Sequence, residues 1–219
     1  WQQGNICAVE GLDPMWMLNH YHHYDLASTG KRGIMLSRYS GLGSHRYPVG
    51  FSGDVHVTWE SLQYQPYFTA TAANVGYTWW SHDIGGHMNG IKDNELYMRW
   101  LQFGVFSPTN RLHSNCNPFC GKEPWRYPAP YDGIAGDALR LRHRLLPYIY
   151  TMNYQCHEEL KPAVVPAYYY CPMERECYRY KDEYFFGTEL LVVPMVHPTD
   201  RETGYTTEEA WVPAGTWTD

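Results

Sequence analysis

Residues 38–54 combine residue types that strongly restrict the local structure and the kind of site that this stretch can form. It begins at Arg38, contains glycines at positions 41, 43 and 50, and ends in the carboxyl group of Asp54. Glycine lets the backbone turn and approach a ligand closely because it carries no Cβ atom. The aromatic rings within the stretch are Tyr39, Tyr47 and Phe51. Rings to stack on, a guanidinium donor and a proton-exchanging carboxyl suit a sugar pocket. The same pattern also fits a glycine-rich loop beside a structural Arg–Asp pair.

Three further motifs follow in order along the chain. Residues 74–88 contain a short apolar run that ends in Ser81, His82 and Asp83, which predicts a buried strand carrying Asp83 at its C-terminal end. Residues 95–104 predict a helix, and residues 106–113 predict the next strand with His113 at its polar tip. The sequence Glu123-Pro-Trp125 then predicts a loop.

Together these motifs resemble glycoside hydrolase family 31, the retaining α-glucosidase and α-xylosidase family, over nearly the whole chain. The resemblance implies an α/β fold in which residues 1–161 form the second half of a (β/α)8 TIM barrel. It also implies that residues 162–219 form a linker and the start of an all-β sandwich domain. Barrel active sites lie at the C-terminal ends of the strands, and Arg38, Asp54, Asp83 and His113 all follow apolar runs or lie in the loops beyond them. Because both domains would be incomplete, we expect exposed strand edges and low solubility of this chain in isolation.

The resemblance assigns roles residue by residue. Asp54 matches the general acid/base of the family, and Arg38, Asp83 and His113 match residues that hold hydroxyls of the sugar at the cleavage point. Phe51 stands where many members carry tryptophan, and His87 stands where many carry phenylalanine, so both are expected to line the substrate pocket. The opening sequence Trp1-Gln-Gln-Gly resembles the end of the fourth barrel strand. Trp1 is therefore expected to contact substrate, and the nucleophilic aspartate is expected directly before it.

The function implied for the intact protein is hydrolysis of α-linked glycosides, with α-glucosides as the commonest substrates in the family. Retaining glycosidases use two carboxyl groups about 5–5.5 Å apart, one as nucleophile and one as acid/base. With only Asp54 of that pair, this chain alone is expected to be inactive. Two alternatives stay open, namely a noncatalytic carbohydrate-binding pseudo-enzyme and a transglycosidase of the same family. No cofactor is expected, and the sequence indicates neither the sugar nor the oligomeric state.

Composition restricts the remaining partners. The formal net charge is −6, and lysine and arginine form no cluster, which argues against nucleic acid and anionic membranes. No apolar run approaches the roughly 20 residues of a membrane-spanning helix. The six cysteines are scattered, which favours reduced thiols and a cytoplasmic location, although a Cys171–Cys177 bridge is compatible with the spacing.

A histidine-rich segment, His20-Tyr-His-His23, is the one motif that suggests a metal. On a helix only positions 20 and 23 share a face, and no carboxylate completes the pattern. We therefore expect packed or solvent-facing imidazoles there, and no metal site.

The last third of the chain changes character. Apolar residues recur at helical spacing from Ala135 to Leu160, and Pro147 is expected to kink or split this helix. Its basic residues are expected to lie on a solvated face; they are Arg140, Arg142, His143 and Arg144. Beyond Pro162, β-like patterns are predicted at residues 184–187, 189–197 and 209–217.

Overall fold

The computed structural model describes residues 9–13, 15–47 and 49–218. The six α-helices of this part are α1 (Tyr21–Ala27), α2 (Trp59–Thr71), α3 (Asn94–Val105), α4 (Tyr131–Arg144), α5 (Leu146–Glu159) and α6 (Glu176–Arg179). The five strands are β1 (Gly50–Phe51), β2 (Trp80–Ser81), β3 (Val164–Pro166), β4 (Tyr184–Phe186) and β5 (Leu190–Val192). A π-helical segment, Met15–His20, leads into α1. None of the helices found in these ranges has both the length and the apolar character to pass through a bilayer.

The first part of the fold is held by parallel pairing. β1 pairs with β2, with Gly50 opposite Trp80. Single parallel bridges extend this pairing on both sides, and they join Ser37 to Gly50, Ser81 to Thr109 and Ile84 to Leu112. The predicted strand at 106–113 therefore contributes only isolated bridges within the described residues, as does the segment that contains Ser37. The paired segments follow one another in chain order, with α2 and α3 in two of the connections, as in consecutive βα units.

Capping residues fix where the connecting helices begin. Thr58 precedes α2, and its hydroxyl accepts a hydrogen bond of 3.2 Å from the backbone N–H of Ser61. Asp93 precedes α3, and its carboxylate accepts one of 3.0 Å from the N–H of Leu96. Such caps satisfy N–H groups that have no partner within the helix. The predicted helix over 95–104 is confirmed.

α3 is the most deeply buried helix, because large apolar side chains cover most of its surface. Trp100 and Leu101 are fully buried, and α3 packs against both α2 and α4. The same apolar cluster includes Ile149 and Met152 of α5 and Phe186 of β4, so one core joins the parallel units to the sheet that follows.

The predicted split at Pro147 is confirmed, since α4 ends at Arg144 and α5 begins at Leu146 with the proline in its first turn. The predicted solvated face is wrong for Arg142, which is only 9% exposed. Its guanidinium donates hydrogen bonds of 2.6–2.9 Å to the carbonyl oxygens of Val105, Ser107 and Pro108. These carbonyls lie at and beyond the C-terminus of α3, where helix geometry provides no partners. Arg142 therefore fastens α4 to the end of α3.

An antiparallel sheet follows α5 in the C-terminal part of the described chain. Its order is β3-β4-β5, with Val165 opposite Phe185 and Phe185 opposite Leu191. The predicted strand at 184–187 and part of that at 189–197 are confirmed, whereas residues 209–217 form no strand. Tyr184 donates a hydrogen bond of 2.8 Å to the carbonyl of Phe106, which connects the sheet to the parallel units.

Candidate active site

Six of the seven predicted site residues lie together at the C-terminal ends of the parallel segments. They are Arg38, Phe51, Asp54, Asp83, His87 and His113, and the seventh, Trp1, lies outside the described residues. The parallel pairing explains this, because it places the ends of successive segments at one edge.

Asp83 lies at the bottom of the site. Its side chain is fully buried, and its Oδ1 accepts a hydrogen bond from Arg111 Nη2. Arg111 is itself oriented by Ser81, whose hydroxyl accepts from Nε at 2.9 Å. Burial raises the pKa of Asp83, and the guanidinium of Arg111 opposes that effect. The other oxygen, Oδ2, is buried and has no hydrogen-bond partner in the described part of the chain.

His87 lies between the two carboxylates. Its Nε2 is 3.8 Å from Asp54 Oδ1, and its Nδ1 is 3.9 Å from Asp83 Oδ2. The ring stacks on that of His113, with centroids 4.8 Å apart and planes inclined by 28°. Its backbone N–H donates to the carbonyl of Val55 at 2.8 Å, which holds the 83–87 loop against the loop of Asp54. His87 thus connects the candidate acid/base to the buried aspartate.

His113 completes the polar wall. Burial lowers its pKa, and Arg111 lowers it further against the opposing effect of Asp83. The ring is therefore a neutral imidazole at neutral pH, able to accept one hydrogen bond and donate another. The ligand atoms of Asp83, His87 and His113 all lie within 4.8 Å of one another, and this is the one group in the described ranges that could hold a metal ion.

The Phe51 ring lies near two guanidinium groups. The centre of its ring is 5.4 Å from the Cζ of Arg111 and 5.9 Å from the Cζ of Arg38. At these distances the positive charges are attracted to the ring, so Phe51 helps to position both arginines. Arg38 also passes directly over Gly53, where a Cβ atom would lie 2.1 Å from its Nη2. Gly53 has a φ of +74°, so this residue meets two requirements that only glycine satisfies.

Sequence reasoning missed Arg111 as a site residue, although a signal was present. In an extended segment, residues two apart point to the same side, so Arg111 shares the side of His113. Tyr47, by contrast, is not a pocket ring. It is 3% exposed and hydrogen-bonded to His20 Nδ1 at 2.8 Å, so it supports the 38–54 stretch from within.

His82, next to Asp83, has a structural role. Its Nδ1 accepts a hydrogen bond of 3.0 Å from the indole of Trp100, and its ring stacks on Phe103. Complete burial lowers its pKa to about 3, so it stays neutral. It faces the core while Asp83 faces the site, as alternation along a strand requires.

The fold and the site define a class, namely proteins built of parallel βα units whose acidic and basic side chains converge at the C-terminal ends of the strands. The glycosyl hydrolases family 31 TIM-barrel domain matches residues 10–152, and the family 31 C-terminal domain matches residues 160–219. The chain belongs to glycosyl hydrolase family 31.

Relatives at 29–31% identity carry two kinds of name. Alpha-glucosidase 2 of Bacillus thermoamyloliquefaciens is 31% identical over 190 residues, covering 87% of this chain and 23% of that protein. An alpha-xylosidase of Saccharolobus solfataricus is 29% identical over 190 residues, covering 84% of this chain and 26% of that protein. The chain thus spans about a quarter of the length of these curated relatives.

Several solved structures of named enzymes also superpose on this chain. The cycloalternan-degrading enzyme from Trueperella pyogenes in complex with cycloalternan superposes with a TM-score of 0.78 at 25% identity, covering 83% of this chain and 26% of that one. An alpha-xylosidase from a soil metagenome complexed with xylose gives 0.75 at 30% identity, covering 82% and 30%. A Flavobacterium johnsoniae dextranase complexed with glucose gives 0.76 at 29% identity, covering 82% and 23%.

Proposed function

We propose that the intact protein is a retaining α-glycosidase in which Asp54 is the general acid/base. The nucleophile is an aspartate directly before Trp1. The substrate-binding residues are Arg38, Phe51, Asp83, His87, His113 and Trp1. The parallel units form the second half of the (β/α)8 barrel, and the antiparallel sheet begins the β-sandwich.

The contrast between two carboxylates is the observation that carries this proposal. Asp83 is fully buried and held by Arg111, so its oxygens cannot move to an anomeric carbon. Asp54 is 20% exposed and follows β1 by three residues, at the mouth of the same site. Binding therefore suits Asp83, and proton exchange with a departing oxygen or with water suits Asp54.

The reaction proceeds in two displacements. The nucleophilic aspartate attacks the anomeric carbon while Asp54 gives its proton to the leaving oxygen. Asp54 then takes a proton from water, which cleaves the glycosyl ester with retention of configuration. Asp83 Oδ2, Arg38 and His113 bind hydroxyls of the ring and orient it, and the Phe51 ring limits the pocket on one side.

α-Glucosides are the proposed substrates. The named relatives include an alpha-glucosidase and an alpha-xylosidase, and one solved neighbour is a dextranase. The site itself fits a neutral, hydroxyl-rich ring, since its donors and acceptors are balanced among two arginines, two histidines and two aspartates.

Asp54→Ala tests the acid/base role in the intact protein. Loss of the proton donor should lower kcat/KM about 10²–10⁴-fold for α-glucosides with poor leaving groups, and far less for activated aryl glycosides. Azide should partly restore turnover of the activated substrates, because it attacks the glycosyl ester without needing a base. Asp137→Ala is the matched control, since Asp137 is an exposed carboxylate that pairs with Arg140, away from the candidate site residues.

Equal losses on both substrate classes would contradict the acid/base role of Asp54. If the wild-type protein binds α-glucosides without cleaving them, the protein is a noncatalytic carbohydrate-binding protein and the proposed hydrolysis is wrong. Transfer of the glycosyl unit to a second sugar in preference to water, read from the products, would replace it with a transglycosidase.

A further inference from the structure

We infer that Asp83, His87 and His113 bind a zinc ion in the candidate active site, in competition with sugar. These three side chains are called the Asp–His–His cluster below. Zinc binding depends only on the cluster, whereas the competition with sugar rests on the proposed function.

Unpaired atoms are the first reason. Asp83 Oδ2 and His87 Nδ1 are both buried without a hydrogen-bond partner in the described structure, and they face each other across 3.9 Å. Most buried polar atoms in proteins are paired, because an unpaired one loses its hydrogen bonds to water without replacement. A cation between a carboxylate oxygen and a ring nitrogen would satisfy both at once.

The ligand atoms of the cluster lie farther apart than those around a bound zinc ion, yet near enough for all three to reach one ion. Zinc binds His nitrogen and Asp oxygen at about 2.0–2.2 Å, so ligand atoms around a tetrahedral ion lie about 3.3 Å apart. The ligand atoms here lie within 4.8 Å of one another. Zinc binding therefore requires the two imidazoles to rotate toward Asp83 Oδ2, and the side chain of His87, which is 16% exposed, keeps contact with water.

Neighbouring groups already orient the ligands. Arg111 holds Asp83 Oδ1, which directs Oδ2 toward the histidines. Asp54 Oδ1 lies 3.8 Å from His87 Nε2, the nitrogen that faces away from Asp83. Carboxylates in this outer position commonly accept the N–H of a metal-bound histidine and fix its tautomer. A bound ion would therefore engage Asp54 as well, and it would occupy the oxygen of Asp83 that sugar needs.

The chemical types of the three ligand atoms indicate which metal ion the cluster would bind. Two imidazole nitrogens and one carboxylate suit zinc and similar transition metals, whereas Mg²⁺ and Ca²⁺ prefer oxygen ligands. The site depends on His87, since phenylalanine at this position would remove one of three ligands.

Calorimetry of the intact protein tests the site directly. After treatment with a chelator and its removal, titration with ZnCl₂ should show one site per chain, and MgCl₂ should show none. His87→Phe should weaken zinc at least about 100-fold, because removing even an outer partner costs 10–100-fold. His157→Phe is the control, since that side chain is 85% exposed and outside the cluster, and it should keep the wild-type affinity.

A second measurement needs no variant. Co²⁺ added to the wild-type protein should give the intense visible absorption of a low-coordinate site with nitrogen ligands, and ZnCl₂ should abolish it. Absence of this band, or zinc affinity unchanged in His87→Phe, would overturn the metal site. Glucose should displace the cobalt band; a cobalt site that glucose leaves untouched would overturn the competition and count against the proposed sugar pocket, not against the metal site.

Discussion

At the scale of single residues, the approach of Arg38 to the loop of Asp54 depends on the missing side chain of residue 53. Gly53 and Gly204 both have a φ of +74°, but only Gly53 has a neighbour that a Cβ atom would strike. Comparing alanine substitutions at these two glycines therefore distinguishes the effect of backbone strain from the effect of displacing Arg38.

Gly53→Ala and Gly204→Ala should each destabilise the protein by about 1–2 kcal/mol, since alanine is strained at this φ. Only Gly53→Ala should also lower kcat/KM, by at least about tenfold, because Arg38 must move away from the site. Thermal melting and steady-state kinetics on the intact protein measure the two effects. Equal kinetic losses in both variants would show that Arg38 is not positioned through Gly53.

The sequence predicts candidate site residues where a polar side chain follows an apolar run, as for Asp54, Asp83 and His113, and the structure places these three close together. Parallel pairing alone then brings them together. Gly53 and Arg111 were not singled out because their importance depends on contacts between segments distant in the chain. Whether the six converging residues bind sugar stays a prediction for the experiments above.

At the scale of elements, Arg142 is the main connection between α4 and the end of α3. Its position follows helical spacing, since it lies seven residues after the buried Ala135 and three after Leu139. Its residue type suggested the opposite, because arginine is rarely buried unless paired. The helical spacing places Arg142 on the buried face of α4, and the carbonyl groups at and beyond the end of α3 accept its hydrogen bonds.

Arg142→Met should destabilise the protein by about 3 kcal/mol or more, because it leaves three carbonyl oxygens without their donor, two of them in buried hydrogen bonds. Arg140→Met is the matched control, since Arg140 lies two residues away and is 75% exposed, and its change should stay within about 0.5 kcal/mol. Denaturant unfolding of the intact protein compares them. Similar small losses in both would mean that water replaces the guanidinium.

At the scale of the whole molecule, Glu183 fastens the C-terminal segment to the sheet. It is 3% exposed, and its Oε2 accepts a hydrogen bond of 3.0 Å from the N–H of Trp211. Its Oε1 has no partner among the described residues, and burial raises its pKa to about 7. The folded state thus favours the protonated carboxyl, and its stabilising effect is complete below about pH 4.5 and is lost as pH rises through about 7.

Glu183→Gln should therefore raise the melting temperature at pH 8 by a few degrees and change it little at pH 5, where the wild-type carboxyl is also neutral. Glu202→Gln, at an exposed position, should show no such pH dependence. Calorimetric melts at both pH values measure the difference. A lower melting temperature at pH 8 would mean that the ionised carboxylate stabilises the fold.

The order of parallel units followed by an antiparallel sheet was predictable, because helical periods, caps and Pro147 are local signals. The extent of the strands was not. The sequence of residues 106–113 predicts a strand, yet only single bridges form there, because pairing depends on neighbouring segments that the local pattern does not contain.

The spread of the site residues along the chain has a consequence for biosynthesis. Arg38 and His113 are 75 positions apart, so at about 5–20 residues per second the ribosome needs about 4–15 s to add the last one after the first. Throughout that interval the nascent chain carries an incomplete site whose strand edges can pair with other unfinished chains. We therefore expect newly made molecules to be vulnerable to aggregation between the synthesis of Arg38 and that of His113, the interval in which a chaperone would cover these edges.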